Sequence, residues 1–583
     1  MAMTGDAEAR ARTPDESTGA ALHLAGSVRC PGLSPGAARI PGLAEELSQR
    51  LAVFHYKQRT PYLWVVLLGG TGTGKSTLFN AIAGHELSRT GVERPKTRGP
   101  IAYAHRQALI EDNFPFPAVR VDRSAATDTE STPAEGAAGR LLVLEHSRDG
   151  YSHLVLVDTP DLDSVEVENR RLAQHLYLLA DTVLFITSQE KYADEVPYQF
   201  LLQVVHERRP YFILLNKVDG YLTLDEVTAS FDEHKISLPE ERLWLIPYLP
   251  LHPSETISGD RTFRSFMERF ARQVAGETTA AFREQRLSER AGDLQARADE
   301  LHRALQEEEQ AARQWLGRLE TLSRAVSREL MERQKQRFTA VSREYLQREI
   351  RKLYARHDVL ARPRRFVKEL LLTPLRLLGV VKEEDRAAHD EAIRRIRQKI
   401  DAAVVQASIE RFNRAVLEEL SPVDTTAPLF GSLRQPALAL TGHEVEEHLQ
   451  EKQDHLTAWL EETFARLACG LPKQKRLGIY STSVLWGILI LAFETAVGGG
   501  FSLLEAALDT VLAPLVTKGA VELFAYYELE KVGKQLAEKF QDALVSLVRE
   551  QSDRYRDALG RLMTSQDAVT AIEALRGFSD KKG

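Results

Sequence analysis

Cysteine is nearly missing from this chain of 583 residues. Cys30 and Cys469 are the only two, which excludes a disulfide framework and a four-cysteine metal site and fits a reducing, cytosolic setting. A basic excess is also missing. The formal net charge is −7, unlike the basic footprint of a general nucleic-acid binder, so no nucleic-acid partner is expected. The N-terminus lacks the continuous apolar run of a secretion signal. Residues 1–40 are rich in Ala, Gly, Pro and Arg, and read as a disordered tail. Asp6, Glu8, Asp15 and Glu16 disfavour a mitochondrial presequence. Proline is absent between Pro253 and Pro363, which leaves room for long helices.

A single core is excluded at this length, and two or more domains are expected. Residues 41–60 open with Pro41 and space apolar residues at Leu43, Leu47, Leu51 and Phe54. They predict a short amphipathic helix, a neck or bundle element. Residues 61–275 alternate apolar runs with helical segments: YLWVVLL (62–68), RLLVLEH (140–146), HLVLVD (153–158), TVLFITS (182–188), YFILLN (211–216) and RLWLIP (242–247). Such runs predict an α/β domain with a mainly parallel sheet and helices on both faces. The segment 107–139 has little periodicity and reads as a long surface loop or lid.

Residues 276–583 read as an elongated all-α domain. Leu294, Leu301, Trp315 and Leu322 share one heptad position, and Leu305, Ala312, Leu319 and Val326 share another; Glu308 interrupts the first series. A helix over 282–360 would be about 120 Å long. Two segments break the charged pattern: 363–382, with Arg364, Arg365, Lys368 and Arg376 beside clustered leucines, and 477–517. Of the latter, 477–493 is uncharged and sits at the short limit for a membrane span. Gly498, Gly499 and Gly500 follow. A re-entrant or interfacial hairpin and a hydrophobic hairpin buried in the bundle are both compatible with it.

The chemistry is concentrated in three short motifs. GGTGTGKST, residues 69–77, stands between a strand and LFNAIAG and satisfies G-x-x-x-x-G-K-[ST]. Its glycines let backbone N–H groups surround phosphates, and the following helix adds its dipole. Gly69, Gly70, Thr71, Gly72, Thr73, Gly74, Lys75, Ser76 and Thr77 are therefore the candidate phosphate residues. Lys75 would bridge the β- and γ-phosphates in a catalytic role, and Ser76 would ligate Mg²⁺. NKVD, residues 216–219, follows the strand YFILL and has the guanine-binding pattern Asn-Lys-x-Asp. Asp219 would accept from guanine N1–H and the 2-amino group, which adenine lacks. Lys217 would pack over the base, and Asn216 would tie this loop to the phosphate loop. The third motif is DTPDLD, residues 158–163. Asp158 ends a strand and would meet Mg²⁺ through water.

These motifs resemble the GTPase domains of the P-loop translation-factor-like class, and GKSTLFNAIAG is similar to the Era-like and dynamin-like branches. The resemblance implies GTP/GDP and Mg²⁺ as cofactors and a switch I threonine before DTPDLD. Thr97 would be that residue, catalytic and a metal ligand, with Thr90 the weaker candidate. Where relatives carry glycine and then a water-orienting glutamine, this sequence has Asp161 and Leu162. Asp161 N–H would still reach the γ-phosphate if its carboxylate points away. Hydrolysis would need help from switch I, a second subunit or a partner. The layout as a whole resembles the bacterial dynamin-like proteins. That implies a GTP-hydrolysing protein that self-associates through its GTPase domain and helices at an anionic membrane surface, peripheral or re-entrant at the cytoplasmic face of the cell membrane. The alternative is a soluble regulatory GTPase whose helical half binds a protein partner.

Overall fold

The computed structural model describes residues 24–577, apart from 91–98, 126–133, 357–401, 470–522 and a few shorter stretches (135, 165–166, 192–194, 208, 220, 234–235, 237–238, 249–252 and 278–279). The expected switch I threonine Thr97 and the segments 363–382 and 477–517 lie outside the described residues, 518–522 included in the same stretch. By internal packing the chain divides into two units, one around Arg39–Leu305 and one around Gln306–Met563 with Cys30–Ala38.

The first unit is built on eight strands in the order β3-β4-β2-β5-β1-β6-β7-β8. They are β1 Leu63–Leu68, β2 Ile101–His105, β3 Arg120–Ala125, β4 Arg140–His146, β5 Leu154–Asp158, β6 Thr182–Ser188, β7 Tyr211–Val218 and β8 Leu243–Pro247. All neighbours run parallel except β2 and β5. The central strands are buried at every position because both faces are covered. On one face Trp64, Val66 and Leu68 join Leu172, Leu176 and Leu201; on the other Val65 and Leu67 join Leu78, Phe79 and Phe266. The alternation is the period-two geometry of a strand.

The segment 107–139 is not wholly a loop: it contains β3, whose RVDRSA sequence carries no apolar signal. An edge strand needs only one paired side, and Arg123 holds it by bonding to Glu111 and Glu145. Strand β2, IAYAH, had likewise escaped the sequence pattern.

Helix α1, Ile40–Arg59, is tied into this unit by buried charge. Lys57 Nζ meets Asp181 Oδ2, whose other oxygen takes Arg290 at 3.1 Å; Arg50 meets Glu207 at 2.8 Å. Burial alone would raise the Asp181 carboxyl, but the Lys57 and Arg290 charges outweigh it and hold it down to about 2.

A helix of 77 residues, Ala280–Arg356, bears out the long helix expected from the missing prolines, at about 115 Å. In the second unit its residues Ala312, Trp315, Leu319 and Val326 share a core with Phe412, Leu460, Phe540 and Tyr555 from later helices. The charged interruption of the heptads has a structural reason. Glu308 is buried, and its carboxylate accepts from Gly32 N, Leu33 N and Ser34 N, each at 2.7 Å. Among the described residues no helix is long and apolar enough to cross a membrane.

Candidate nucleotide site

The parallel strands β1, β5, β6 and β7 end together, and the loops that leave them form the site, as expected for the carboxyl edge of such a sheet. β1 delivers Gly69, and helix α2, Lys75–Ala83, begins six residues later. Gly74 takes φ 94°, a conformation that side chains disfavour, and a Cβ there would lie 2.2 Å from Asn216 Nδ2. At Gly69 a Cβ would fall 2.0 Å from Ile186 O. Thus two glycines of the motif are required by close approach, one to β6 and one to β7.

The loop from β7 is fastened to this loop at two points. Asn216 Nδ2 donates to Thr73 O at 2.9 Å, and Lys217 Nζ donates to Gly72 O at 2.7 Å. The register of β7 against β8 shifts between Leu215 and Val218, and Lys217 has φ 61°, so Asn216 and Lys217 leave the pairing with β8 and reach across. Asp219 is exposed. Its Oδ2 accepts from Gln189 Nε2 at 3.1 Å, and its N–H donates to Gln189 Oε1 at 2.9 Å. Gln189 follows β6, whose Ser188 pairs with Asn216 in register. Sequence reasoning missed Gln189. The signal available was its place just after an apolar parallel strand.

Asp158 is fully buried at the end of β5. Its Oδ2 accepts from Ser76 Oγ at 2.7 Å and Ser88 Oγ at 2.8 Å, while Oδ1 has no hydrogen-bond partner among the described residues. Burial pushes this carboxyl above the usual range, against the two hydroxyls and Lys75. The donor set fits a magnesium ion: a hydroxyl beside a carboxylate with an acceptor to spare for a metal-bound water. Ser88 was not anticipated.

The segment after β5 departs from expectation. Asp161 does not point away. Its Oδ1 pairs with Lys75 Nζ, which also donates to Gly69 O at 3.1 Å and Gly70 O at 3.0 Å. With the lysine ammonium so near, attraction replaces the repulsion that a phosphate would exert. Leu162 is buried with Leu172 and Leu176, so its side chain faces the core. Asp163, also unanticipated, accepts from Thr71 N and Thr71 Oγ1, each at 2.7 Å. Burial would raise its carboxyl, but those two donors and Lys191 hold it below the usual range.

A phosphate placed over residues 69–77 would face loop N–H groups, the buried lysine and a helix start, the general anion geometry of this motif. Residues 65–218 match the family model described as the dynamin family. No curated protein matches the chain. Two solved structures, both described as an oligomerised bacterial dynamin pair providing a mechanism for long-range sensing and tethering of membranes, are each 13% identical to it. One alignment covers 99% of this chain and 96% of the other at a TM-score of 0.40. The second covers 99% and 97% at 0.42. The stretch that matches the dynamin family holds the phosphate loop, Asp158 and Asn216 together.

Proposed function

We propose that the protein binds and hydrolyses GTP with Mg²⁺ and acts at a membrane surface through nucleotide-dependent self-association. The observation that carries the nucleotide reading is the double fastening of the 216–219 loop to the phosphate loop, by Asn216 on Thr73 and Lys217 on Gly72. It joins a base-reading carboxylate to a phosphate cradle at a fixed spacing.

In this reading the N–H groups of residues 70–77 and the ammonium of Lys75 hold the phosphates. The Asp219 carboxylate serves as an acceptor, and guanine offers it two donors where adenine offers none. Lys217 covers the base with its stem. Ser76 and Asp158 hold the magnesium ion, which when bound neutralises charge on the β- and γ-phosphates. Thr97 is proposed to complete the metal site and to act in hydrolysis. Leu162 faces the core, so the group that orients water comes from switch I or from a second subunit. The second source makes turnover depend on self-association.

The membrane part of the proposal is supported by the dynamin family match and by the composition of 363–382 and 477–517. What is described for the bacterial dynamin pair, oligomerisation and the tethering of membranes, is proposed for this chain. Two measurements test the reading. Single-turnover hydrolysis should quicken per molecule as protein concentration rises; a rate constant independent of concentration would remove the self-association step. Co-sedimentation of the full chain with anionic liposomes should show binding, and its absence with and without a GTP analogue would instead favour the soluble regulatory switch.

A further inference from the structure

The ammonium of Lys75 is buried among three oxygens. Two are carbonyls of its own loop, Gly69 O and Gly70 O. The third is a full negative charge, Asp161 Oδ1, brought in by the segment after β5 from 86 residues away. It stands beside the lysine where the terminal phosphate of a nucleoside triphosphate is neutralised.

Asp161 is also held through the two residues that follow it. Leu162 N donates to Gly69 O at 3.2 Å and its side chain is buried in the core. Asp163 takes both donors of Thr71, and Lys191 lies 3.7 Å from its other oxygen. Carboxylate 161 is thus presented to the lysine by a segment anchored to the phosphate loop itself. A carboxylate and a phosphate cannot share one ammonium without strong mutual repulsion.

We propose that Asp161 is an internal stand-in for the γ-phosphate. It neutralises Lys75 when no third phosphate is present, and a nucleoside triphosphate binds only by displacing it. A diphosphate, which ends at the β-position, leaves the pair in place. The residue therefore sets the preference between the two nucleotide states, biasing the protein toward the diphosphate. Displacing Asp161 also pulls on Leu162 and Asp163, so arrival of the third phosphate is transmitted to Gly69 and Thr71. This inference rests on the guanine-nucleotide reading of the site.

The test is equilibrium binding of GDP and of a non-hydrolysable GTP analogue, with Mg²⁺, to the full chain. It compares the wild type with Asp161→Asn, which keeps the shape and removes the charge, and Asp161→Gly, which removes the side chain. The ratio of analogue affinity to GDP affinity should rise at least tenfold in both variants, mainly through tighter analogue binding. An unchanged ratio overturns the proposal while leaving the nucleotide reading intact. A fallen ratio also overturns it, because Asp161 would then be helping to hold the triphosphate. Binding of neither nucleotide by the wild type removes the reading and the proposal together.

Discussion

Asn216 Nδ2 lies 2.9 Å from Thr73 O, and the Cα of Gly74 leaves no room for a side chain beside that amide. The loop proposed to read the base and the loop proposed to hold the phosphates are therefore one mechanical piece. Removing the amide in Asn216→Ala should weaken GTP and GDP alike by about tenfold, the scale of one lost hydrogen bond in a buried setting. Gly74→Ala, which forces a Cβ against Asn216 at positive φ, should do worse, on the order of a hundredfold. Calorimetric titration of both variants checks this. Equal wild-type affinities in Asn216→Ala would show that the tie is dispensable.

Asp219 is held by Gln189 on one oxygen and by Tyr221 N–H, at 3.3 Å, on the other. Both oxygens keep further lone pairs for a base. Asp219→Asn replaces an acceptor with a donor facing guanine's own donors, and should lower GDP affinity on the order of a hundredfold. Adenine nucleotides should bind no worse than before. Competition of GDP against ADP for the two proteins reads this, and equal loss of both would contradict the base assignment.

His175 stacks on Phe116 with ring centroids 4.1 Å apart and planes at 4°, and among the described residues neither ring nitrogen has a hydrogen-bond partner. Burial, aided by Arg171, pushes its imidazole from 6.5 down to about 4. Below pH 6.5 the unfolded chain binds a proton that the folded chain refuses. The stability present above that pH is lost as pH falls toward 4, at about 1.4 kcal/mol per pH unit. Urea unfolding between pH 7 and 4, with His175→Phe as control, should show this slope in the wild type and its loss in the variant. Parallel profiles would refute it.

The Glu308 carboxylate gathers three backbone N–H groups of residues 32–34. Glu308→Ala leaves them without an acceptor, and the second unit should lose at least about 3 kcal/mol. Glu308→Leu, which repairs the heptad pattern, should not recover it. Thermal unfolding of the two variants decides: a more stable leucine variant would mean that the seam outweighs the three bonds.

Much of the candidate nucleotide site was legible because its chemistry is local. A strand, a glycine-rich turn and a helix start are consecutive in residues 63–83, and each is dictated by its neighbours: branched apolar residues, then glycines needed at close approaches, then helix formers. The loop 216–219 was readable for the same reason. What escaped has partners far away or weak local pattern. Strand β3 is polar because one paired edge suffices for it, and Glu308 looked like a defect because residues 32–34 lie some 275 positions away.

The sequence by itself determined an α/β sheet of the P-loop type, the phosphate and base motifs, and a helix of more than seventy residues where proline is missing. Periodicity and backbone permissiveness act between neighbours, so they can be read along the chain. Only the tertiary structure decided that Asp161 turns onto Lys75, that Leu162 faces the core, and that Gln189 steadies Asp219. Charges and hydrogen-bond donors choose partners by distance in space, and that distance exists only after the strands have aligned.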